Sequence, residues 1–169
     1  MRPTLAAAAL FLCAVPVRAQ LVIPPELAND AAHLVAQWID TSRVEALQQG
    51  VRPIPLHIDQ AMRGYFPDSL LARVRYTVGS ADGMTLPALA FSYGDVAALT
   101  LDDIIVFRDD HAAQTDLKLW AHELTHVEQY RRWGLQGFAA HYARNPASVE
   151  SEAYRNADRF MEWYDRRVR

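Results

Sequence analysis

Two histidines four residues apart, the first followed directly by a glutamate, set the tightest constraint on this chain: His122-Glu123-Leu124-Thr125-His126. Residues at i and i+4 share a face only on an α-helix, so the pair can act on one target only if this stretch is helical. The flanking sequence agrees. At about 100° per residue, Leu117, Trp120, Ala121, Leu124 and Val127 gather on one side, and His122 and His126 lie together on the other. We expect this helix to bury its apolar face and to offer the histidines from the opposite one.

Two imidazoles on one helix face suit a divalent transition metal, and a catalytic zinc takes a third protein ligand while keeping one position for water. The last helical stretch holds two carboxylates that could supply it. Val149, Ala153, Ala157, Phe160, Met161 and Tyr164 form its apolar stripe; Glu150 falls inside that stripe, whereas Glu152 points away toward solvent. A carboxylate on a buried face needs a cation to offset its desolvation, so Glu150 is the expected third ligand. The alternative is an ion pair between Glu150 and an arginine at the helix start. Glu123 neighbours a ligand without being one, which is where a general base for a zinc-activated water belongs.

The chain's one cysteine, Cys13, lies in an apolar run from Leu5 to Val15 that follows Arg2 and precedes Val17-Arg18-Ala19. That order reads as an export signal over residues 1–19, cleaved near Ala19, leaving a single domain over residues 20–169 in the periplasm or outside the cell. Such a mature chain carries no thiol, so it has no disulfide and no thiolate ligand, and its metal would rest on imidazole and carboxylate. No other stretch is apolar enough for a permanent membrane span. Acidic residues number 20 against 17 basic, and the only basic clusters, Arg131-Arg132 and Arg166-Arg167 with Arg169, read as solvated helix ends. A nucleic-acid partner is therefore not expected. The oligomeric state is not legible.

Helical spacing predicts a first long helix from Glu26 to about Gln49, closed by Gly50, and shorter turns at Asp59 to Tyr65 and from Pro67. Strands are predicted at Val74 to Val78, Leu86 to Phe91 and Ile104 to Phe107. From Asp116 the pattern is helical again, with Gly134 stopping one helix, a short one across Gln136 to Ala143 and a last one over Ala147 to Arg166. The expected fold class is α+β, mainly helical with a minor sheet. The acidic pairs Asp102-Asp103 and Asp109-Asp110 lack the alternating ligands of a calcium loop and read as strand-end turns.

With His122 to His126 followed by Glu150-Ser151-Glu152-Ala153, the chain resembles the zinc peptidases called gluzincins, which use two histidines and a later helical glutamate. The run from Trp120 to Tyr130 is more narrowly similar to a short peptidase-like domain in toxins linked to extracellular contractile injection systems. The likeness continues through Phe138, Tyr142, Asn145-Pro146 and Glu150-x-x-Ala153-Tyr154. The resemblance implies a small zincin-like domain that hydrolyses peptide or protein substrates with Zn2+. It also implies that Ile104 to Phe107 is the edge strand that aligns an extended substrate. Many gluzincins place an aspartate four residues after the ligand glutamate to orient a histidine; this chain has Tyr154 there, with Asp158 one turn further on. Tyr154, Tyr142 and His141 are all candidates to stabilise the transition state.

Against the peptidase stands a non-catalytic zinc-binding or scaffold domain attached to a secretion or toxin system. A purely structural site has no use for a base at Glu123, which favours chemistry.

Overall fold

The computed structural model describes residues 25–79 and 96–169. The expected export signal and the expected strand at Leu86 to Phe91 lie outside the described residues. Helix α1 spans Pro25–Gln49 and ends where Gly50 takes a φ of 98°, a left-handed conformation that glycine adopts without a Cβ penalty. Strand β1 (Arg52–Pro53), helices α2 (Leu56–Met62) and α3 (Asp68–Leu71) and strand β2 (Arg75–Val78) follow. After residue 96 come β3 (Ala98–Leu101), β4 (Ile104–Phe107), α4 (Asp110–Thr115), α5 (Leu117–Arg144) and α6 (Pro146–Arg167). The fold is α+β, mainly helical around a small mixed sheet, as the periodicity predicted.

The strand order is β1-β2-β4-β3, with β4 parallel to β2 and antiparallel to β3. This corrects the expectation that Ile104 to Phe107 is an edge. All four of its residues are buried, and an uninterrupted apolar run is the pattern of a strand covered on both faces. Among the described residues the edge next to it is β3, whose run of Ala98, Leu99 and Leu101 shows no clean alternation and so carries no strand signal in the sequence. Asp102-Asp103 form the turn between β3 and β4, and Arg43 of α1 holds that turn through Asp103 at 2.8 Å.

Alternate residues of β4 feed two apolar clusters. Ile105 and Phe107 pack with Tyr76, Trp120, Leu124 and Phe160 on one side of the sheet. Ile104 and Val106 pack with Ile39, Tyr130, Phe138 and Val149 on the other. Helix α5 therefore touches both clusters and packs along α6 and α1. Its N-terminus is capped by Asp116, which accepts from the Leu119 amide at 2.8 Å, and α6 begins with Asn145 capping Ser148 and Pro146 in its first turn. Gly134, at φ 69° and ψ 170°, breaks α5 into two limbs at the position where the sequence predicted a stop. No helix among the described residues is long and apolar enough to cross a membrane.

Leu124 is fully buried under the motif, while Leu56 is exposed at the start of α2. We expect Leu124→Ala to lower unfolding free energy by roughly 2–5 kcal/mol and Leu56→Ala to change it by less than about 0.5 kcal/mol, as read from urea denaturation.

Candidate metal centre

Helix α5 presents His122 and His126 one turn apart, but not to open solvent. Both are buried, because the face opposite the sheet is covered by α6. Across that interface Glu150 enters from the first turns of α6. His122 Nε2 lies 3.2 Å from Glu150 Oε2, His126 Nε2 lies 3.6 Å from the same oxygen, and the two Nε2 atoms are 3.1 Å apart. Among the described residues this is the one group of three metal-ligating side chains whose donor atoms converge.

The separations test whether a metal fits. Ligand atoms ~2.0–2.2 Å from a tetrahedral zinc lie ~3.3–3.6 Å from one another, close to the spacings across this cluster. Two nitrogens and one carboxylate oxygen form a donor set that zinc accepts, with no thiolate required. The residues present fit the ion.

The surrounding hydrogen bonds aim these atoms. Gln129 is fully buried; its Oε1 is 2.8 Å from His126 Nδ1, and its Nε2 donates to Val149 O and to Glu152 Oε2, both at 3.1 Å. Tyr142 donates to Glu150 Oε1 at 3.1 Å, which leaves Oε2 facing the histidines. Burial, and then the charge of Glu150, pushes the Tyr142 phenol upward and keeps it a donor. By contrast, His122 Nδ1 is buried with no hydrogen-bond partner among the described residues. Glu123, only 3% exposed, sits outside the donor set: Thr100 of β3 donates to its Oε2 at 2.7 Å.

The other expected residues divide. Tyr142 is engaged with Glu150, and His141 stacks on Trp133 with ring centroids 4.1 Å apart. Tyr154 packs against His122 at 4.4 Å between centroids and is 56% exposed. Burial first, then the Glu150 and Glu123 carboxylates, raises its phenol pKa. Asp158 pairs with Lys118 at 2.7 Å. Glu152, expected to point to solvent, is half-buried instead, held by Arg132 at 2.9 Å and by Gln129. Helical phase alone missed this because α5 lies close enough for Arg132 and Gln129 to reach it. Thr100 and Gln129 were not anticipated. Gln129 was within reach of the sequence, three residues beyond His126 on the same helix face; Thr100 carried no such signal.

A family model described as the eCIS core domain matches residues 53–134. That ties this part of the chain to extracellular contractile injection systems. The eCIS core match takes in β2, β3, β4 and the His122 to His126 motif and stops at the break in α5. Tyr142 and Glu150 lie beyond it, so their place at the cluster comes from the fold alone. No curated protein and no solved structure matches the chain.

Without metal, the cluster carries a charge pair. Burial opposes the charge on His126, but hydrogen bonding to Glu150 and the Glu123 and Glu150 carboxylates outweigh it, raising its pKa from 6.5 to about 9. Burial likewise works against the Glu150 carboxylate, and hydrogen bonds from His122 and His126 overcome it, holding it well below the usual range. A raised folded pKa gives stability that is complete below the unfolded value and lost as pH rises through the folded one. The depressed Glu150 acts in the opposite sense, losing its contribution only as pH falls below its ordinary range. For the chelator-treated protein we expect the urea midpoint to fall between pH 6.5 and about 9 and Glu150→Gln to flatten that slope.

Proposed function

We propose that this domain is a zinc metallopeptidase in which His122, His126 and Glu150 hold the ion and Glu123 is the general base. The observation that carries this reading is the convergence of three donor atoms beside a second carboxylate, Glu123, that is not among them. A zinc ion there supplies Lewis acidity that brings a water's pKa toward neutrality and favours negative charge on a peptide carbonyl oxygen. Glu123 takes the proton from the attacking water and returns it to the departing amine. Thr100 fixes the Glu123 carboxylate through Oε2, which assigns the proton to Oε1. Tyr154, exposed beside His122, is the donor best placed to reach a developing oxyanion. An extended peptide would align along the β3 side of the sheet, since β4 is interior.

On this reading the chain is exported by residues 1–19 and works in the setting of an injection system, which the eCIS core match supports. A second reading, a closed zinc site on a non-catalytic scaffold, is favoured by the burial of both histidines and of Glu123.

Elemental analysis of the purified protein should find one zinc per chain, retained in Glu123→Gln and lost in Glu150→Ala. Hydrolysis of a broad peptide library should fall at least about a hundredfold in Glu123→Gln. Equal hydrolysis in both proteins would remove Glu123 as the base. Zinc without hydrolysis in either would select the scaffold, and no zinc in wild type would reject both readings.

A further inference from the structure

The amide of Gln129 can be oriented only one way. One end faces Val149 O and the Glu152 carboxylate, both 3.1 Å away and both acceptors, so that end must be the NH2. The Gln129 carbonyl oxygen is then the atom 2.8 Å from His126 Nδ1, and an acceptor there requires that Nδ1 carry the proton. With Nδ1 protonated, the neutral imidazole keeps its lone pair on Nε2, the atom that faces His122 and Glu150. Arg132 anchors the far end of the chain by holding both Glu152 oxygens, at 2.9 and 3.0 Å.

We propose that Gln129 is a positioning residue of this site: its carbonyl fixes the His126 tautomer that directs the Nε2 lone pair to a divalent cation. The inference rests on the metal-site reading above and deepens it. The same side chain also ties α5 to the Val149 carbonyl, immediately before Glu150, and so sets where that carboxylate enters. The two histidines are thereby unequal. His126 is locked by a relay that runs from buried Gln129 out through Glu152 to the exposed Arg132, whereas His122 Nδ1 has no hydrogen-bond partner among the described residues and is steadied by packing against Tyr154. Groups that fix a ligating imidazole in this way carry about 10–100-fold of metal affinity, so most of the orienting effect should be concentrated on Gln129.

Two variants separate the acceptor from the cross-link. Gln129→Met fills the space and removes both; Gln129→Glu, made together with Glu152→Gln so that two carboxylates do not meet, keeps an oxygen for the Nδ1 proton and removes the donor to Val149. The experiment is chelator competition for zinc on wild type and both variants, with circular dichroism to confirm folding. Nitrogen-resolved NMR of the zinc-loaded proteins follows the His126 imidazole proton. We expect Gln129→Met to bind zinc about 10–100-fold more weakly and to lose a slowly exchanging Nδ1 proton that wild type shows. Gln129→Glu paired with Glu152→Gln should keep that proton and most of the affinity. Equal weakening in both variants would reduce Gln129 to a structural cross-link and overturn the proposal. Wild-type affinity in Gln129→Met would overturn it as well, while leaving the zinc site standing. Absence of zinc binding in wild type would overturn the site itself.

Discussion

The structure turns on one helix that is buried on both sides. Along α5, Trp120 and Leu124 face the sheet, while His122, Glu123, Thr125, His126 and Gln129 are buried polar groups. A buried polar atom left without a partner costs about 1–3 kcal/mol, so a helix with this content is stable only if its neighbours supply matching groups. Helix α6 and strand β3 do so. Asn156 donates to Thr125, Val149 and Glu152 accept from Gln129, Glu150 faces both histidines and Thr100 holds Glu123. These contacts leave α6 one register against α5, because sliding it by a turn would separate every pair together.

That requirement explains the placement of the rest. The break at Gly134 lets the chain leave the straight path of α5 and bring Tyr142 back over Glu150. Asn145 and Pro146 then start α6 at once, with Glu150 little more than a turn from its beginning. On the sheet side, the tight β3–β4 turn, pinned by Arg43, lays β3 along the outer side of β4 and sets Thr100 against Glu123. The two carboxylates consequently have different surroundings: Glu150 faces imidazoles, and Glu123 faces a hydroxyl. On the metallopeptidase reading proposed above, this difference in surroundings would let two residues of one type serve as ligand and as base.

One atom stands outside this matching. His122 Nδ1 is buried and unpartnered, and the residue in a position to serve it from α6, Tyr154, offers its ring rather than an acceptor. The gluzincin-type reading of the sequence expects an aspartate at this place. The ring contact leaves His122 less rigidly oriented than His126, and it leaves the Tyr154 hydroxyl in an exposed residue near the carboxylates. The eCIS core match ends at residue 134, so Tyr142, Glu150 and Tyr154 lie outside the matched segment.

Local pattern carried much of the architecture. The helical period around His122, the stops at Gly50 and Gly134 and the apolar stripe of α6 depend on residues a few positions apart, and each was legible. The choice of Glu150 over Glu152 as the carboxylate on the inner face was also a matter of helical phase, and α6 does bring Glu150 to the histidines. What sequence could not decide is what lies across an interface. That β4 lies inside the sheet depends on a parallel pairing with β2, made between residues nearly thirty positions apart. That Glu152 is drawn inward, that the histidine face is covered, and that Thr100 meets Glu123 depend on which elements pack together. Periodicity reports the side of an element that is apolar; only the tertiary structure decides which polar groups meet there, because a hydrogen bond needs its donor and acceptor within about 3 Å and no local rule sets that distance between distant segments.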